Sequence, residues 1–255
     1  MRIAFDAAWA AGLLFALSRT AGFAIASPLF ARALPPLGRV AFAIGAALFL
    51  AVPVPATPSL GQVVTWTFVN VAVGLVLAFV SGLILYLFEV AGEVLDLTSG
   101  MGAAHLIDPM TKRSEGPFAR LFRMTAFALF LALGGDRLIV QALSRSTDAI
   151  PLAGGMRMPP GVGDSVVGQI GSLMLAAIEL VAPALAALVL AEIALGLTAR
   201  FVPQVNVFLL GLPGKLLITF AVLGAVIALF PGTVQGAIDT MLDTFGGLLH
   251  ALGPG

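Results

Sequence analysis

Long apolar runs alternate with short polar connections along the whole chain. Six runs approach the ~20 residues that cross a bilayer as a helix: about Ala7–Ala31, Leu37–Val54, Val63–Phe88, Leu121–Leu143, Val166–Thr198 and Val207–Phe230. Each is predicted to be helical or to lie within protein, because lipid offers no partners for backbone N–H and C=O groups. Pro53, Pro55 and Pro58 force a turn after the second run, since proline removes amide donors and restricts the residue before it. No charged residue falls between Val40 and Phe88, so the second and third runs form a hairpin with a neutral tip. Beyond the sixth run, Ile238, Leu242, Phe245 and Leu249 recur at helical spacing beside Asp239 and Asp243. This predicts a short amphipathic C-terminal helix, and its acidic face directs it to protein rather than to anionic lipid. The expected fold is an all-α membrane protein of about six hydrophobic helices plus that short helix, one domain over residues 1–255.

Composition agrees with this pattern. Of 255 residues, 60% are hydrophobic and 10% charged, against about 25% charged in soluble domains. So few charges cannot clothe a water-facing surface, and most of the outside must meet lipid or other apolar protein. Lys+Arg and Asp+Glu are equal in number, which gives no attraction for nucleic acid. Cysteine is absent, which removes disulfides, thiolate metal sites and cysteine nucleophiles. Arg2, the first apolar run and Ala24-Ile25-Ala26 imitate a cleavable leader, but Asp6 and Arg19 interrupt the run and favour a retained first span. Arg32 and Arg39, then Lys112, Arg113, Arg120 and Arg123, then Arg200 fall in the first, third and fifth connections. The positive-inside rule would place these connections in the cytoplasm.

Charges inside apolar segments come next. Arg19 lies in the first run, and Glu179 and Glu192 in the fifth. A charge at mid-bilayer costs about 2.5–3.5 kcal/mol on insertion scales, so such groups are paired or face water. The plainer reading is an intraprotein pair, for example Arg19 with a carboxylate; the sharper one is a proton or ion relay. Gly74, Ala78 and Gly82, four apart, offer a small-residue face for close helix packing.

Two polar stretches carry the rest. In the first, from Glu89 to Arg120, Glu89, Glu93 and Asp96 form an acidic stripe at helical spacing. Ser99-Gly100-Met101-Gly102 supplies a flexible break, and Asp108-Pro109 a turn. On composition alone this is an ordinary solvated loop with a charged helix end. The small and apolar residues in its middle, including Gly102 and Ile107, are unusual for one and are what a plug or gate over a pore would need. The second stretch is Gly196–Lys215, with Arg200, Pro203, Gln204 and Asn206 packed into seven positions before Pro213-Gly214-Lys215. It reads as a broken helix held by side chains, with Asn206 meeting freed backbone groups and Arg200 forking to carbonyls or carboxylates. Catalytic patterns are lacking: there is no HExxH, phosphate-binding glycine loop or Gly-x-Ser-x-Gly elbow. His105 with Asp108 lacks a third ligand, so neither a metal nor a cofactor is expected.

The stretch "AEIALGLTARFVPQVNVFLLGLPGK" resembles the signature of the FliR family of type III secretion export-gate proteins, flagellar and virulence-associated. Gly196, Arg200, Pro203, Gln204, Asn206, Phe208, Gly211, Pro213 and Lys215 carry the match. Gly92-Glu93, Asp96, Gly100 and Asp108-Pro109 follow the family's order, as do Arg19, Gly22 and Pro28. The resemblance implies a non-enzymatic subunit whose kinked helical hairpins assemble with FliP-like, FliQ-like and FlhB-like subunits. That assembly, in the bacterial inner membrane and flagellar basal body, surrounds a channel for unfolded export substrates and reaches above the bilayer.

By the same resemblance, Arg200, Pro203, Gln204, Asn206, Phe208, Pro213 and Lys215 serve helix shape and assembly. The plug falls at about 100–117, with Gly100, Met101, Gly102, Ile107, Asp108 and Pro109; FliR-like loops often have Phe where Met101 stands. Arg19, Glu93, Asp96, Glu179 and Glu192 become intersubunit contacts. Two alternatives stay open: the equivalent virulence subunit, and a secondary transporter using Glu179, Glu192 and a helix broken at Pro213. The transporter reading lacks a counterpart of Arg-x-x-Pro-Gln-x-Asn in the first half of the chain.

Overall fold

In a computed structural model, residues 7–54, 58–102, 115–155, 162–201 and 207–252 are described. Among them, all regular structure is α-helical: α1 (Ala7–Ala26), α2 (Pro28–Ala33), α3 (Pro36–Leu50), α4 (Leu60–Ser99), α5 (Pro117–Ala132), α6 (Gly135–Ala149), α7 (Val162–Phe201) and α8 (Val207–Leu252). Four of these (α1, α4, α7 and α8) are long and apolar enough to cross a membrane, and a fifth span is formed if α5 and α6 count together.

Helix ends differ from the apolar runs for local reasons. The first run divides at Ser27, whose ψ of 118° is the extended conformation that a following proline imposes. The fourth bends by 70° between α5 and α6, where Gly134 takes a left-handed φ of +79° that a side chain would resist. Conversely, Pro213 and Pro231 do not end α8, and Pro183 does not end α7. The expected break at Pro213 is therefore corrected. A helix continues past proline at the loss of one backbone hydrogen bond when its flanking turns are held by packing. The amphipathic tail likewise is the C-terminal part of α8 rather than a separate helix, with Ile238, Phe245 and Leu249 buried and Asp239 and Asp243 exposed.

Length is the unexpected feature. At 1.5 Å per residue the 40 residues of α4 and of α7 extend about 60 Å, and the 46 of α8 about 69 Å. A hydrocarbon core is about 30 Å thick. Each of the three therefore projects well beyond a bilayer or spends much of its length inside protein.

The chain forms two compact units. One comprises residues 1–84, 130–167 and 237–255. Here α1 packs on α3, where the Thr20 hydroxyl donates to the Ala43 carbonyl at 2.8 Å. It also packs on α4, where Phe15 meets the edge of Trp66 at 5.6 Å. Phe23, Phe30 and Phe42 join α1, α2 and α3 in an aromatic cluster. The small-residue face of α4 is used within the chain: a Cβ on Gly74 would overlap the backbone carbonyl of Arg19. Because that obstacle is backbone, Gly74→Ala should force the helices apart and destabilise the unit by about 1–3 kcal/mol. A lowered thermal midpoint in detergent would show it, and an unchanged midpoint would mean that α1 is not seated there.

The other unit comprises residues 85–129 and 168–236. Its core centres on Phe230, whose ring lies 4.9 Å from both Phe88 and Phe122. Gly92 of α4 is pressed against the backbone of Ala119 in α5, leaving no room for a Cβ. α7 and α8 form a hairpin in which Leu195 lies over Gly211.

Candidate functional site

Both polar stretches singled out in the sequence converge in the second unit. α4 extends past the apolar run to Ser99, so Glu89, Glu93 and Asp96 are helical residues on its last turns. Asp96 is buried, and its two oxygens accept from the backbone N–H groups of Phe118 (3.1 Å) and Ala119 (2.9 Å). These are among the first donors of α5, which no residue within that helix can satisfy. Gly116 immediately precedes α5, and a Cβ on it would overlap the Asp96 carboxylate. A carboxylate from α4 thus occupies the place of an N-cap side chain, where the helix dipole favours negative charge.

The same residue closes the other end of the connection. The Asp96 carbonyl accepts from the N–H of Gly102 at 2.8 Å, and Gly100 turns the chain with a φ of +87°. Gly102 and the first residues of α5 are therefore both fastened to Asp96. Beside it, Arg123 of α5 bonds to Glu115 and lies 3.7 Å from Glu89. Glu93 is exposed on the same stretch of α4.

The Gly196–Lys215 stretch meets this junction. A Cβ on Gly100 would lie 2.8 Å from a methyl carbon of Leu212 in α8. Two residues after Pro213, Lys215 pairs with Glu192 of α7 at 2.5 Å and ties the hairpin together. Arg200 and Glu179 are exposed on α7. Met101 is half-buried after Gly100, and Gly102 is buried. Ile107, Asp108, Pro109, Pro203, Gln204 and Asn206 lie outside the described residues, as does the side chain of Phe208.

Arg19 belongs to the first unit and finds its partners within the chain, contrary to the intersubunit role expected of it. It is fully buried. Its Nε donates to Asn70 Oδ1 (2.9 Å), Nη1 to the Ser146 carbonyl (2.7 Å) and hydroxyl (3.0 Å), and Nη2 to the Ile150 carbonyl (2.8 Å). The carbonyls are the last of α6, so the guanidinium caps that helix at its negative end. Asn70 completes the arrangement by donating to the Leu152 carbonyl at 2.9 Å. Among the described residues the partners of Arg19 are neutral, where a carboxylate was the partner considered from sequence. Asn70 itself could have been found: it is an amide in the charge-free stretch between Val40 and Phe88, where a buried polar group needs a partner. Gly92 and Gly116 carry no such signal among 29 glycines.

Among the described residues no three His, Asp or Glu side chains are grouped to hold a metal. The polar groups of both units join helices. Polar side chains that fasten long apolar helices to one another define a multi-pass, all-helical membrane protein. The chain belongs to family 1 of the bacterial export proteins, whose sequence profile matches residues 10–241. It is 28% identical to the flagellar biosynthetic protein FliR of Bacillus subtilis over 250 residues, 94% of this chain and 95% of that one. It is 31% identical to the Yop proteins translocation protein T of Yersinia pestis over 150 residues, 57% and 56% of the two chains. Similarity to the surface presentation of antigens protein SpaR of Shigella flexneri is 27% over 156 residues, 61% and 60%.

Proposed function

We propose that the protein is a non-catalytic subunit of the flagellar type III export gate, in the bacterial inner membrane. The observation that carries this is the end-to-end match with a flagellar biosynthetic protein, 94% of one chain and 95% of the other. The matches to virulence translocation proteins cover 57% and 61% of this chain. The gate is built with FliP-like and FliQ-like subunits and an FlhB-like partner, and unfolded proteins pass through it. Helices about twice the bilayer thickness suit a subunit held largely by other subunits. Residues 100–117 are the plug of the closed channel, a reading supported by the bonds of Gly102 and of the start of α5 to Asp96. Arg200, Pro203, Gln204, Asn206, Phe208, Pro213 and Lys215 shape the α7–α8 hairpin for assembly. Deleting the gene should abolish swimming and the secretion of filament protein. A deletion strain that swims normally but loses a virulence secretion activity would assign the subunit to that system instead.

A further inference from the structure

α7 has two faces of different character. Leu173, Ala177, Leu180, Val181, Ala184 and Leu188 are buried and follow one helical stripe. The opposite stripe is exposed: Ser172, Leu175, Glu179, Ala182, Ala186 and Leu190. Glu179 stands within this apolar face, and among the described residues it has no hydrogen bond or ion pair. A carboxylate on an apolar helix is not left to hydrocarbon, which offers its oxygens no donor. Small residues one turn on either side, Ala182 and Ala176, let a second helix approach closely enough to reach it.

Among the described residues, the long apolar helices of the chain supply no cation for this face. Of the basic residues inside its long apolar helices, Arg19 is consumed by Asn70, Ser146 and Ile150, and Lys215 by Glu192. Arg200 lies at the end of α7, about 31 Å along the helix from Glu179 at 1.5 Å per residue. A second copy of the chain in parallel register therefore brings no positive charge opposite Glu179.

We propose that the Glu179 face of α7 is the docking surface for an apolar helix of a different subunit, one that carries an Arg or Lys midway along its length. This rests on the gate reading and adds to it the face used and the chemistry of the neighbour.

The test places a photo-crosslinking amino acid at Leu175, or at Ala186, in the full-length protein in its native cells. The unaltered partner set should give a crosslink to another hydrophobic membrane subunit. Glu179→Lys should lower that product about tenfold or more, because two cations then face each other away from water. Glu179→Gln, which keeps shape and hydrogen-bonding capacity, should lower it less. Changing the facing Arg or Lys of the crosslinked helix to Glu should restore the product with Glu179→Lys. A crosslink to a second copy, adducts with lipid only, or a subunit crosslink indifferent to Glu179→Lys would each overturn the docking proposal while leaving the gate reading in place. Recovery of the unaltered protein with no other subunit would overturn both.

Discussion

Replacing Arg19 by methionine should destabilise the first unit by about 3–5 kcal/mol, the largest single effect expected in the chain. The substitution leaves two buried acceptors without this donor, the Ile150 carbonyl and the side-chain oxygen of Asn70, while the Ser146 carbonyl keeps the N–H of Ile150. Each buried acceptor left unpaired costs about 1–3 kcal/mol. The Ser146 hydroxyl already donates to the Leu143 carbonyl and can keep that bond, so it adds little. Methionine has the length to fill most of the space, which separates the polar loss from a cavity effect. Arg19→Lys should recover only part of the stability, because one ammonium cannot repeat the planar fork that reaches three directions. Unfolding in detergent micelles, followed by helix content, measures this directly. A variant as stable as the parent would mean that the end of α6 finds other donors.

Asp96→Ala should have the second largest effect, and a local one. The N–H groups of Phe118 and Ala119 are buried and receive their carboxylate from 22 and 23 residues away. Charge-assisted bonds of this kind contribute about 1.5–3 kcal/mol each, so α5 should lose about 3–4 kcal/mol of its hold on α4. Asp96→Asn, which keeps one acceptor oxygen, should lose roughly half as much. Hydrogen exchange at Phe118 and Ala119 should accelerate by at least a hundredfold in Asp96→Ala, following 1.4 kcal/mol per factor of ten. Exchange at Asn70, in the other unit, should stay unchanged. Fast exchange at both sites would show general unfolding instead of an uncapped helix. On the proposal that residues 100–117 are the plug, the same variant should also leak ions through the assembled gate.

How far these features were legible depends on the range of the interaction behind them. Apolar runs reveal helices because burial or lipid exposure acts on every residue of a segment, and α4, α7 and α8 lie where the runs do. Their ends were harder. Pro28 broke a helix at Ser27 whereas Pro213 and Pro231 broke none, since the outcome turns on packing around each proline and not on proline alone. The 70° bend rests on Gly134-Gly135, a dipeptide that marks turns but stands here inside an apolar run read as one helix.

Polar residues showed a similar division. Arg19, Asp96 and Lys215 were conspicuous as charges in apolar surroundings, so their importance could be read at once. Their partners could not, because those partners are largely backbone groups that look alike in any sequence: the Ser146 and Ile150 carbonyls, and the amides of Phe118 and Ala119. Glu192 meets Lys215 across the hairpin, 23 residues away in sequence.

The central claim is that this chain works as one subunit of a larger export gate. Purification in mild detergent followed by native mass spectrometry tests it most directly. The predicted result is a complex containing this protein and two other small hydrophobic subunits. A stable solitary protein that moves a small solute across liposomes would contradict it.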